Sequence, residues 1–122
     1  MENGKKLIIL VDDIPVNLQI GKDVLSEKYI VATAPSAKKM FALLQNNTPA
    51  MILLDIEMPE MDGFEAIQLL KSQPETRNIP VIFLSSHIEP NYKRTALSLG
   101  AVDYIGKPFE PSVLLECIKA RI

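Results

Sequence analysis

The chain has 122 residues, a formal net charge of −2, 48% hydrophobic residues and 23% charged residues. This length and balance indicate one globular domain with room for a substantial core. No apolar run approaches the roughly 20 residues of a membrane-spanning helix, and no basic cluster points to nucleic acid or a membrane surface. The single cysteine, Cys117, excludes a disulfide framework. We therefore expect a cytoplasmic protein that binds neither nucleic acid nor membrane directly.

Strand-like and helix-like segments alternate along the chain. Continuous apolar runs such as LIILV and AMILL are typical of strands buried on both faces, and apolar residues three and four apart indicate helices. The predicted strands cover residues 5–11, 29–33, 50–54, 80–85 and 101–105. The predicted helices cover residues 15–26, 37–44 after a Ser36 N-cap, 63–72, 91–99 and 111–120.

Five such units predict the α/β class. The predicted fold is a doubly wound, five-stranded parallel sheet of order 2-1-3-4-5 with five helices, a flavodoxin-like three-layer sandwich. We expect a single domain over residues 1–122, with its core at about 5–121 and no output domain in this chain. Ligands bind beyond the carboxyl ends of the strands in such sheets, so the residues there are the candidate site.

Three carboxylates follow two strands that are neighbours in this order. Asp12 and Asp13 end strand 1 and Asp55 ends strand 3, so the three converge. Each close pair costs on the order of 4 kcal/mol of repulsion at a surface-like dielectric, and a divalent cation resolves this. Hard oxygen ligands with room left for water point to magnesium. Taken singly, the acidic pair is more often a helix cap and Asp55 fits an ordinary turn.

Two more polar groups lie at the ends of the flanking strands. Ser85 ends strand 4 and Lys107 follows strand 5. Alone, the serine satisfies a strand end and the lysine is solvated. Together with a metal and a carboxylate, a hydroxyl and an ammonium group are suited to handling a phosphoryl group.

Four segments carry a resemblance to a known family: ILVDDIPVNL, MILLDIEMPEMDGFEAI, IPVIFLSS and GAVDYIGKPF. They resemble the signature segments of response-regulator receiver domains of two-component signalling, within the superfamily of chemotaxis regulators. The peptide bond before Pro108 is usually cis in that family. The resemblance implies these roles: Asp55 as phosphoacceptor, Asp12, Asp13, Asp55 and the backbone carbonyl of Glu57 as ligands of Mg²⁺ (or Mn²⁺), Ser85 as switch hydroxyl, Tyr104 as switch aromatic and Lys107 as the phosphate-pairing lysine.

The resemblance also implies a function. Such a domain takes a phosphoryl group from a sensor histidine kinase or a phosphotransfer protein. It is no enzyme beyond self-phosphorylation from acyl phosphates and autodephosphorylation. Its output domain or effector, or a second copy of the chain, would bind through residues 91–120, the face of helix 4, strand 5 and helix 5.

Three rim positions are expected to tune the lifetime of the phosphoryl group. By the same resemblance, Glu57 and His87, two residues past Asp55 and Ser85, would flank the path of attacking water, which predicts slow loss. Ser86 stands where the family often has alanine. Taken alone, His87 is more often a solvent-facing side chain.

Three alternatives share parts of this pattern. A flavodoxin-type FMN binder needs a phosphate-accepting loop after strand 1, where this chain has two aspartates. A phosphatase of the haloacid-dehalogenase type needs its nucleophile after the first strand, in a D-x-D-x-T pattern that is absent. A degenerate receiver that only binds partners would lack some of the phosphorylation residues, whereas all are filled here.

Overall fold

The protein, described by a computed structural model over residues 4–122, alternates strands and helices. The strands are β1 (Leu7–Val11), β2 (Ile30–Ala34), β3 (Met51–Leu54), β4 (Val81–Ser85) and β5 (Asp103–Gly106). The helices are α1 (Pro15–Leu25), α2 (Ala37–Leu44), α3 (Gly63–Ser72), α4 (Pro90–Ser98) and α5 (Pro111–Arg121). Among the described residues, no helix is long and apolar enough to cross a membrane.

The five strands form one parallel sheet of order β2-β1-β3-β4-β5. Side chains alternate between its two faces, as the pleat requires. One face packs under α2, α3 and α4, and its core includes Ile9, Ile52 and Phe83. The other packs under α1 and α5, and its core includes Ile8 and Leu53. The predicted three-layer fold is confirmed.

Some element boundaries differ from the predicted ones because helix ends extend into the expected strands. The Tyr29 N–H bonds to the Leu25 carbonyl at 2.9 Å, so residue 29 still closes α1 and β2 begins one residue later. The Ala101 N–H likewise bonds to the Ala96 carbonyl at 3.1 Å, and β5 begins only at Asp103. Neither difference moves a residue away from the carboxyl edge of the sheet.

Helix α1 buries only some of the apolar side chains whose spacing predicts it, since Leu18, Val24 and Leu25 pack against the core. Val16 and Ile20 are 59% and 50% exposed, whereas the helix buries Gly21 and Leu25. A β-carbon at Gly21 would lie 2.5 Å from a methyl group of Leu10, so the glycine lets the helix lie close against the sheet. The spacing therefore predicted the helix correctly, but Val16 and Ile20 lie outside its buried side.

Candidate functional site at the carboxyl edge of the sheet

Asp12 and Asp55 lie side by side because they follow paired strands. Val11 and Leu54 are register partners at the ends of β1 and β3, and the Asp55 N–H continues the ladder to the Val11 carbonyl at 3.0 Å. Asp12 is 4% exposed and Asp55 6% exposed. The two buried carboxylates and half-buried Asp13 each offer an oxygen atom, and these atoms all lie within 4.8 Å of one another. The predicted convergence of the three aspartates is confirmed.

Lys107 reaches into this cluster from the loop after β5. Its Nζ atom lies 2.8 Å from Oδ2 of Asp12 and 3.3 Å from Oδ1 of Asp55. Burial alone lowers the pKa of Lys107, but bonding to Asp12 and the charge of Asp55 outweigh it and raise the pKa above its usual value. The ammonium group is therefore a permanent positive charge in the site. The peptide bond from Lys107 to Pro108 is cis, as the family resemblance implied.

Asp55 is in an environment that disfavours its charged form. Burial is the largest effect, and with the negative charge of Asp12 it outweighs Lys107 and raises the pKa of Asp55 to about 6. If all three aspartates are ionised, the lysine leaves the cluster with two uncompensated negative charges. A divalent cation matches both that charge and the all-oxygen donor set, which is the kind that Mg²⁺ prefers. The residues present thus fit such an ion.

The turn after Asp55 is fixed by the start of α3. The Gly63 N–H bonds to the Ile56 carbonyl at 2.7 Å, and a β-carbon at Gly63 would lie 2.3 Å from the Asp55 carbonyl oxygen. Asp62 caps the helix in a reciprocal capping box with Glu65. Only glycine allows this close approach, which holds the backbone of Asp55 against the helix.

Ser85, at the end of β4, is buried, and its hydroxyl accepts a hydrogen bond from the His87 N–H at 3.1 Å. Tyr104 on β5 packs against Phe83, with ring centroids 6.5 Å apart. Its hydroxyl donates to the His87 carbonyl at 2.6 Å. The side chain of Tyr104 is thus turned towards the β4–α4 loop, and both Tyr104 and Ser85 are hydrogen-bonded to that loop.

The rim of the site carries an interaction that the sequence did not reveal. Nε2 of His87 lies 2.6 Å from Oε1 of Glu57, and the imidazole stacks on Tyr92 of α4 with ring centroids 4.2 Å apart. The side chain of His87 is only 24% exposed, so the interpretation as a solvent-facing histidine is wrong. The available signal was position, because Glu57 lies two residues past Asp55 and His87 two residues past Ser85, in the loops that follow neighbouring strands. Ser86, the third rim residue, is exposed.

Comparison with known proteins places the chain in a family. It matches the family model of the response regulator receiver domain over residues 8–119. The chain belongs to this family. It is thus a receiver domain, a signalling module of two-component systems. This membership sets aside the flavodoxin-type and phosphatase alternatives.

Similar proteins place receiver domains in several contexts. A probable cyclic di-GMP phosphodiesterase from Vibrio cholerae is 38% identical over 115 residues, which cover 94% of this chain but only 25% of that protein. The structure of the chemotaxis protein CheY4 from Vibrio cholerae matches with a TM-score of 0.91 at 27% identity, covering 98% of this chain and 100% of CheY4. The receiver domain of the sensor histidine kinase PA1611 from Pseudomonas aeruginosa, solved with a magnesium ion coordinated in its active-site cleft, has a TM-score of 0.88 at 25% identity and covers 97% of this chain and 98% of that domain.

Proposed function

We propose that this receiver domain accepts a phosphoryl group on Asp55 and that Mg²⁺ is required. The observation that supports this most is the cluster itself: carboxylate oxygens of Asp12, Asp13 and Asp55 within 4.8 Å of one another, with the Lys107 ammonium 3.3 Å from Asp55. The similar receiver domain of PA1611 holds a magnesium ion in its active-site cleft. The donor is a phosphohistidine of a sensor histidine kinase or phosphotransfer protein, or a small acyl phosphate.

The transfer forms one bond and breaks one. A carboxylate oxygen of Asp55 attacks phosphorus while the P–N bond to the donor histidine breaks, and its electron pair stays on the imidazole. Asp12, Asp13, Asp55 and the backbone carbonyl of Glu57 would hold Mg²⁺, which when bound offsets the charge on the attacking carboxylate and the phosphoryl oxygens. Lys107 pairs with a phosphoryl oxygen after losing one of its contacts in the cluster.

The signal then arises from the added charge. A phosphoryl group brings about −1.5 to −2 charges and new acceptor oxygens. The Ser85 side chain, whose Oγ now accepts from the His87 N–H, moves to donate its hydroxyl proton to one of them. This shifts the loop to which Tyr104 is bonded, and residues 91–120 repack where an output domain, an effector or a second copy binds. The function is therefore regulatory rather than a turnover of substrate.

The experiment that tests this is treatment with acetyl phosphate and Mg²⁺, followed by the intact mass. We expect the mass gain of one phosphoryl group, removed by hydroxylamine and absent in excess chelator or in Asp55→Asn. Asp23→Asn, which removes a carboxylate far along α1, is the matched control and should gain the group normally. Phosphorylation undiminished in Asp55→Asn would sink the proposal. So would a folded wild-type protein that never gains the group, which is the behaviour of a receiver that only binds partners.

A further inference from the structure

His87 makes three hydrogen bonds and one ring stack, and its Nδ1 also lies 3.7 Å from Oε2 of Glu89, the N-cap residue of α4. Its N–H donates to Oγ of Ser85 at 3.1 Å, and its carbonyl accepts from the hydroxyl of Tyr104 at 2.6 Å. Its ring donates from Nε2 to Glu57 at 2.6 Å. The same ring stacks on Tyr92, with planes 9° apart. One residue thus links the pocket, the rim, β5 and α4.

Helix α4 has few other attachments at its N-terminal end. Ala96 is its one buried residue. The N-cap residue Glu89 makes no side-chain capping bond. The first turn is therefore held mainly by Tyr92, whose ring lies between Phe64, at a centroid distance of 6.1 Å, and His87, at 4.2 Å. A movement of His87 would therefore disturb its stack on Tyr92, the main contact of this turn.

We infer that His87 is a positioning residue that couples Ser85 to helix α4 through its stack on Tyr92. The inference rests on the proposed function and names a route for its signal. When the Ser85 side chain rotates and carries Oγ away towards a phosphoryl group, the His87 N–H loses its acceptor and the residue moves. The stack of the ring on Tyr92 carries this movement to α4, whether or not Glu57 is bonded to the ring.

This route can be separated from the one through Tyr104. The Tyr104 hydroxyl bonds to the backbone carbonyl of residue 87, which any residue at that position supplies. The stack on Tyr92 needs a planar ring. Truncating the side chain of His87 should therefore disconnect α4 while β5 stays connected.

The test compares hydrogen exchange of backbone amides with and without saturating beryllofluoride and Mg²⁺, a phosphoryl mimic. In the wild type we expect exchange of the amides of residues 91–99 to change by about fivefold or more, the lower end of the usual coupling between two sites. In His87→Ala and in Tyr92→Leu this change should fall below about twofold, while residues 103–106 still respond. His87→Phe keeps a stacking ring and should restore the response of α4. Lys93→Ala, an exposed change on the same helix, is the control and should behave as the wild type.

Each outcome decides the question. A wild-type response of α4 in His87→Ala, or failure of His87→Phe to restore it, overturns the inference. Loss of the response in both α4 and β5 overturns it as well, because the loop as a whole is then the link. The proposed function fails separately, if beryllofluoride does not perturb the amides next to Asp55 in the wild type.

Discussion

Asp55 is ionised at neutral pH only at an energetic cost. Its pKa is raised from 3.8 to about 6, first by burial and then by the charge of Asp12. A rise of this size corresponds to about 3 kcal/mol between the charged and neutral forms. The folded-state pKa is the higher one, so the folded protein is favoured by protonation of Asp55. This stabilisation is fully present below about pH 4 and is lost as the pH rises through about 6.

Replacing Asp55 with asparagine should therefore stabilise the metal-free protein at neutral pH. We expect Asp55→Asn to raise the free energy of unfolding by up to about 3 kcal/mol at pH 7.5 in chelator, with the gain vanishing near pH 4. Urea denaturation at several pH values measures it. Added Mg²⁺ should stabilise the wild type more than the variant. A gain that is absent at pH 7.5, or that grows as the pH falls, contradicts the electrostatic account of the site.

The hydrogen-bonded pair of Glu57 and His87 leads to a prediction about the lifetime of the phosphoryl group. The pair joins the two loops at the rim, where water approaches Asp55, so we expect slow loss in the wild type. Replacing both residues with alanine should speed loss by about tenfold, equivalent to a barrier lower by about 1.4 kcal/mol. The rate is read from the mass of the phosphorylated protein over time. An unchanged rate would show that the rim pair does not limit access of water.

At the scale of elements, the first turns of α1 and the residue before them expose apolar side chains to solvent. Ile14, Val16 and Ile20 are 47%, 59% and 50% exposed. Ile14 and Ile20 line a groove of about 380 Å³ that runs to Asp12 and Lys107. Under the proposed function a protein phosphodonor would approach Asp55 from this edge, so we expect it to dock on these side chains.

Charging that surface should separate protein donors from small ones. We predict that Ile20→Lys slows phosphotransfer from the cognate kinase or phosphotransfer protein by about tenfold or more, as loss of an interface anchor does. The rate with acetyl phosphate should not change, because the small donor needs no docking surface. Leu69→Lys is the matched control, since Leu69 is a 40% exposed leucine on α3. Equal slowing with both donors, or slowing in the control, is incompatible with docking on α1.

The sequence predicted the fold and the meeting of the acidic groups because both depend on strand order. Once β1 and β3 are neighbours, Asp12 and Asp55 must lie together. The exposure of Val16 and Ile20 was not predictable in this way, since a spacing of four residues is the same on the side of a helix that faces a core and on the side that faces a partner. The contact of His87 with Tyr92 depends on how a loop bends, which no periodicity encodes.

At the scale of the whole molecule, the proposed switch requires that a charge added at Asp55 alters a surface on α4, β5 and α5. Phosphorylation shifts a population only by its differential affinity for two states, and reversing a 99:1 bias needs about 5.5 kcal/mol. Under the proposed function, charge-assisted bonds from Ser85 and Lys107, together with a bound metal, would supply it. Ser85 is the one among them that is bonded directly to the β4–α4 loop, through the His87 N–H at 3.1 Å.

The most direct test of the account is therefore a map of amide chemical shifts with and without beryllofluoride and Mg²⁺, in the wild type and in Ser85→Ala. In the wild type we expect changes around Asp55 that extend through residues 91–120. In Ser85→Ala we expect the changes around Asp55 to remain and the distant ones to disappear. Changes confined to the surroundings of Asp55 in the wild type, or transmitted equally well in Ser85→Ala, would contradict the coupling.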